Sequence, residues 1–98
     1  MPAVARTNID GTTGHGCFQP RSSTPNGSSD VFVNGQGAIR STDAWPVHTC
    51  PAIPASHAGA QSSGSATVFV NGLALARIGD SIDCGDTVSA GSSDVISG

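Results

Sequence analysis

The sequence predicts an all-β fold of short hairpins in repeated units, and three observations carry that prediction. First, residues that favour helix interiors are scarce: the chain has no Lys or Glu, two leucines (Leu73 and Leu75) and a single methionine. Second, Gly, Ser, Thr and Pro fill 41 of the 98 positions, a vocabulary of turns and loops. The apolar remainder is mostly Val, Ile, Phe and Ala. Third, Val31-Phe32-Val33-Asn34-Gly35 recurs letter for letter as Val68-Phe69-Val70-Asn71-Gly72, 37 residues on. A helical bundle and a standard α/β enzyme domain are both excluded.

Taken in order, the chain opens with Met1 to Gly14, a polar leader rich in Gly and Thr. The first unit enters through Gly27-Ser28-Ser29-Asp30, a turn signal, and continues into Val-Phe-Val, which has high β propensity. Asn34-Gly35 is the strongest two-residue signal for a type I′ turn, so a second short strand should follow over Gly37 to Arg40. Pro46 to Pro54 carries three prolines and reads as an extended crossing segment, with Trp45 before it as a packing residue. The second unit repeats the first from Gly64, with its second strand over Leu73 to Ile78. Arg40 and Asp43 line up with Arg77 and Asp80. Gly91-Ser92-Ser93-Asp94-Val95 copies Gly27 to Val31, so a third unit begins and stops at Gly98. Residues 1–98 are thus read as one domain of three copies, the third truncated.

Strands this short cannot bury a face alone, so the copies must share one core about a common axis. Period-two alternation puts Val31, Val68 and Val95 on one side and Phe32, Phe69 and Ile96 on the other. One set faces the core and the other forms an apolar ring outside; the pattern does not choose between them.

Charge and hydropathy narrow the function. Only 11% of residues are charged and 37% are hydrophobic, the wrong balance for a disordered coil. A net charge of −3 with four scattered arginines leaves no nucleic-acid footprint. Met1 to Asp10 lacks the apolar stretch of a signal peptide, and no apolar run is long enough to span a bilayer.

The histidines and cysteines fall into the repeat register. His57 lies 11 residues before Val68, and Cys84 lies 11 before Val95. His15 precedes Val31 by 16, and His48 follows Asp43 by five much as Cys84 follows Asp80 by four. Three imidazoles and one thiolate make a complete tetrahedral set for zinc, and a closed set of that kind is structural. Against this, no short zinc motif is present, and each histidine has an ordinary hydrogen-bonded role open to it. Without a signal peptide the thiols are expected to stay reduced. Cys17 and Cys50 are read as small buried hydrophobes, with a disulfide between them as the alternative.

Three pieces then resemble PAAR-repeat proteins: the doubled Val-Phe-Val-Asn-Gly, the run Leu73 to Asp80, and Ser81-Ile82-Asp83-Cys84-Gly85. The namesake Pro-Ala-Ala-Arg is here Ala74-Leu75-Ala76-Arg77, with only its final Ala-Arg retained. The resemblance runs from about His15 to Gly98, and it is nearest in kind to the small, unextended proteins of contractile, T4-like phage tails. It implies a small cone of hairpins with pseudo-threefold symmetry and a zinc ion near the apex, held by His15, His48, His57 and Cys84. It implies a non-enzymatic tip whose base docks on the blunt end of a trimeric β-helical spike, one copy per trimer. Such a tip pierces the target envelope of a phage or a type VI secretion-like machine, in transient contact with that envelope. In a phage it is a virion component at the tail's central spike, made in the host cytoplasm.

The spike contacts would fall at the equivalent positions Phe32, Phe69 and Ile96 and at the turn residues Asn34 and Asn71. The alternative function is a small zinc hydrolase in which His15, His48 and His57 leave a place for water. It would need Cys84 away from the histidines and a base, yet the chain holds no glutamate. An effector carrier would need extra domains, for which the chain has no visible extension. A redox module would need a basic partner for its thiol, and none is evident in the sequence.

Overall fold

A computed structural model describes residues 2–50, 52 and 55–98. Its strands are β1 (Phe32–Val33), β2 (Gln36–Gly37), β3 (Ala44–Cys50), β4 (Ala55–Ala60), β5 (Phe69–Val70) and β6 (Leu73–Ala74). They pair as three antiparallel hairpins, β1–β2, β3–β4 and β5–β6, and no helix occurs among the described residues. The molecule is elongated, 38 × 23 × 21 Å, with two nearly equal short axes.

The Asn-Gly turns form as their chemistry dictates. Asn34 and Gly35 have φ of 51° and 82°, and Asn71 and Gly72 have 54° and 80°. Two successive positive φ values define the type I′ turn, whose twist matches that of the flanking strands. Val33 therefore faces Gln36, and Val70 faces Leu73.

The amino-terminal segment departs from the sequence expectation. It is not a leader, because Val4 to Asp10 takes the third position of the repeat. Val4 N–H donates to Val95 O at 3.1 Å, as Ala38 N–H does to Val31 O (3.0 Å) and Leu75 N–H to Val68 O (3.1 Å). Bridges run cyclically from Arg6 to Ala38, Arg40 to Leu75, and Arg77 to Val4. At the centre three backbone bonds close a ring: Ala5 to Ala76, Ala76 to Ile39, and Ile39 to Ala5. Each unit also repeats one salt link, Arg6–Asp10, Arg40–Asp43 and Arg77–Asp80, at 2.7 to 3.0 Å. In each link the aspartate also accepts the backbone N–H of its own arginine.

Serines enter the units in the same way. Ser28, Ser65 and Ser92 are buried, and their hydroxyls accept the N–H groups of Val31, Val68 and Val95. The choice between apolar faces is settled at the next residue. Val33 and Val70 are buried, whereas Phe32, Phe69 and Ile96 are 57–60% exposed. Val31, Val68 and Val95 share the inward side but lie at its edge, still 36–39% exposed.

Two apolar clusters fill the axis. Val4, Val33, Ala38, Val70 and Leu75 form one, inside the hairpin units. Ala5, Ile39, Ala76, Trp45, Ile82 and Val88 form the next, and Cys84 packs against it. Trp45 is indeed a packing residue, and its indole N–H donates to buried Gln61 at 2.9 Å.

The proline-rich stretch is also different from its expected course. Through Cys50 it is extended, as expected, but it pairs with the segment that follows it instead of crossing the molecule: Ala44–Cys50 is a full strand paired antiparallel with Ala55–Ala60. Pro46 is accommodated because the register shifts between Trp45 and His48, an irregularity that spares the ladder a missing donor. Pro51, Ile53 and Pro54 lie outside the described residues.

Candidate metal centre

The β3–β4 hairpin positions two imidazoles by register. His48 and His57 are direct cross-strand partners, so both side chains project from one face. His15 arrives on a tight turn between Gly14 and Gly16, whose φ values of 76° and 54° suit glycine, and which is closed by the His15–Phe18 bridge. Cys84 comes from the loop after Ile82. Gly59 lets that loop close on β4: a Cβ there would stand 2.6 Å from Ile82 Cγ2 and 3.1 Å from Cys84 Sγ.

The Nε2 atoms of the three histidines converge. His15 lies 3.2 Å from His48 and 3.1 Å from His57, and His48 lies 2.7 Å from His57. With the Cys84 sulfur, the donor atoms all fall within 4.8 Å of one another. A tetrahedral ion bound at about 2.0–2.1 Å spaces its nitrogen ligands by about 3.3 Å, close to what is found. His48 fixes its own tautomer: Nδ1 donates to the Gln19 carbonyl at 2.9 Å and leaves the Nε2 lone pair inward. Partial burial, and then the neighbouring imidazoles, hold the His57 pKa below its ordinary value, which keeps that ring neutral and able to ligate. The donor set therefore fits a metal ion, and the fourth donor fills the place that a three-histidine hydrolase would leave for water.

Sequence reasoning missed what surrounds these four residues. Phe18 covers them, its ring centroid 4.2 Å from that of His57, 5.0 Å from His15 and 5.2 Å from His48. Arg21 and Asp86 form a fully buried ion pair at 2.8 Å beside the cluster. Arg21 Nε also donates to the Pro46 carbonyl, and both terminal guanidinium nitrogens lie 3.6 Å from Cys84 Sγ. The thiol thus has the basic partner that the sequence did not reveal. Burial pushes the Asp86 carboxyl up, but hydrogen bonds from Thr12, Thr13, Gly14 and Thr87 outweigh it and leave the pKa lowered.

Cys17 and Cys50 are not a pair of small buried hydrophobes. They form a disulfide across 33 residues, with Cα atoms 4.9 Å apart, so they are not the reduced thiols expected either. Cys50 is buried and Cys17 exposed, and each lies two residues beyond a histidine of the cluster. No sequence signal distinguished this pairing, because a spacing of 33 is compatible with contact or with none.

The proposed docking residues sit elsewhere. Phe32, Phe69 and Ile96 are exposed at equivalent positions of the three units. The Asn34 and Asn71 side chains are engaged within the molecule. Asn34 accepts from Arg6 and Ser92, and Asn71 accepts from Arg40 and Ser28, so each latches one unit to the next.

Comparison with known proteins agrees with this construction. The NAD(P)(+) glycohydrolase toxin Tse6 of Pseudomonas aeruginosa is 34% identical over 77 residues, 74% of this chain and 18% of the toxin. The (p)ppApp synthetase toxin Tas1 of the same species is 34% identical over 77 residues, 17% of its own length. The chain thus spans less than a fifth of either relative. The PAAR motif matches residues 21–90, which takes in His48, His57, Cys84 and most of the repeat, and on that match the chain belongs to the PAAR-motif family.

Proposed function

We propose that this chain is the non-enzymatic tip of a contractile injection spike, and that its four-donor cluster holds structural zinc. The observation that carries the reading is the threefold arrangement of exposed Phe32, Phe69 and Ile96 on a single polypeptide. A trimeric β-helix ends in three equal strand edges, which invite further pairing. One chain with three equivalent apolar positions can cap all three at once, with the Asn34 and Asn71 turns at the rim. No polar pocket lined by a base is required for that role. Zinc follows from the donors: imidazole and thiolate suit a borderline-soft ion, and a closed set of four is structural. The disulfide suits a particle that ends in an oxidising envelope.

Mixing the chain with a trimeric spike fragment tests this. Native mass spectrometry should find one copy per trimer, and Phe32→Asp with Phe69→Asp should abolish the complex. No complex with any β-helical trimer, or three copies per trimer, would overturn it.

The relatives favour a second setting for the same tip. Both are named as toxins and are several times longer than this chain, so we read the tip as equally suited to an effector-carrying secretion machine and to a phage virion. The two settings differ in what travels with the tip and leave its capping role unchanged.

A further inference from the structure

We propose that Arg21 is a positioning residue for the metal centre, its two outer guanidinium nitrogens holding the Cys84 sulfur where it faces the three imidazoles. This rests on reading His15, His48, His57 and Cys84 as the ligands. The argument is one of partners for a buried cation. The Arg21 side chain is 1% exposed, so each of its donors needs an acceptor inside the molecule. Nε has the Pro46 carbonyl, and Nη1 has Asp86 Oδ2 at 2.8 Å. Nη2 has one acceptor among the described residues, the Cys84 sulfur at 3.6 Å, which Nη1 also approaches at 3.6 Å. The flat guanidinium therefore spans carboxylate and sulfur, with its two outer nitrogens straddling Sγ.

Sulfur is the acceptor that completes that fork, so the cation fixes where the Cys84 side chain sits. Asp86 anchors the other side. It accepts from Arg21, from Gly14 N–H at 2.7 Å and from Thr13, and so ties the cation to the turn that presents His15. Its Oδ2 also stands 3.8 Å from His48 Nδ1. One buried pair thereby touches the supports of three ligands. Lysine cannot reproduce this, because a single ammonium offers no planar fork to two acceptors.

The test uses cobalt(II) loaded into the intact chain, where the thiolate gives a near-ultraviolet charge-transfer band. In Arg21→Lys the band should shift, and cobalt release to a chelator should speed up about tenfold to a hundredfold, the usual effect of losing an outer partner of a ligand. A variant that loads cobalt with an unchanged band and release rate would overturn the proposal. Failure of the unsubstituted chain to show any thiolate band would instead sink the underlying metal reading, and this inference with it. Should Arg21→Lys fail to fold, nitrogen-15 spectra of the unsubstituted, cadmium-loaded chain decide. Slowly rotating Arg21 Nη2 protons, freed in Cys84→Ser, support the contact; protons rotating freely before that substitution refute it.

Discussion

The hairpin units and the metal end of this molecule are built on opposite plans. In the units, each device occurs three times: a serine cap, an arginine–aspartate link, a bond in the central ring. Each is of modest strength, and none is a covalent or ionic cross-link over long sequence distance. Among the described residues the metal end has one of each thing: one hairpin with a register shift, one disulfide, one buried ion pair, one four-donor cluster. Under the proposed function the difference has a reason: a surface that caps a trimer must offer three like faces, whereas the β3–β4 region carries no such constraint and can be held by strong, singular links.

The largest expected effect is therefore at the metal end. On the proposed zinc assignment, stripping the metal should lower stability by about 4 kcal/mol at free zinc a thousandfold above Kd. Cys84→Ser should lose both the metal and that stability, read as zinc content by elemental analysis beside thermal melting. Hydrogen exchange should localise the loosening to β3 and β4 while the central ring of Ala5, Ile39 and Ala76 stays protected. Uniform loss across both ends would show that the two regions are not distinct.

Next comes the disulfide. Closing a loop of 33 residues stabilises by about 3–4 kcal/mol through the unfolded chain. Cys17→Ser with Cys50→Ser should cost that much, measured by denaturant titration. It should also weaken zinc retention, because the bond ties the strand of His48 to the turn of His15. Reduced metal affinity without reduced stability would mean that the bond serves the site alone.

How far each end was legible in the sequence follows the same division. The hairpins were readable because Asn-Gly sets its turn locally, through two positive φ values, and so recurs wherever the letters recur. The ligand residues were readable where they kept step with the repeat, as His57 and Cys84 do. Val4 to Asp10 was not recognised as the third unit. It shares only Ala-Arg with Leu75-Ala76-Arg77, and its Arg6–Asp10 link is one residue longer than its two counterparts. Phe18, Arg21 and Asp86 lie outside the repeated positions, so nothing in the register marks them. Their roles depend on where the fold brings distant loops, and no local spacing or motif in the sequence marks that meeting.

A smaller effect is expected from the arginine–aspartate links. Asp43→Ala and Asp80→Ala should each cost about 2 kcal/mol, since each removes a charged acceptor of both a guanidinium and a backbone N–H. Asp10→Ala should cost a similar amount despite its longer link. Equal penalties at the three sites would show energetic as well as geometric threefold symmetry. A markedly larger one at Asp10 would single out the amino-terminal unit, and thermal melts of the three variants suffice to decide.

The smallest expected effect is a gain. Asn8, Thr42 and Gly79 each lie between the arginine and the aspartate of their unit, and all have positive φ: 68°, 77° and 89°. Glycine and asparagine adopt that conformation readily, whereas β-branched threonine is crowded in it. Thr42 is exposed, and its backbone N–H donates to Gln61 O at 2.7 Å, a bond that any side chain at this position preserves. Thr42→Asn should therefore raise stability by about 0.5–1 kcal/mol, seen as a higher denaturant midpoint at unchanged slope. Because the strain belongs to the repeated units, the gain should appear equally in the zinc-free chain. A gain seen only with zinc bound would mean that the turn at Thr42 is coupled to the metal end through Asp43 and β3.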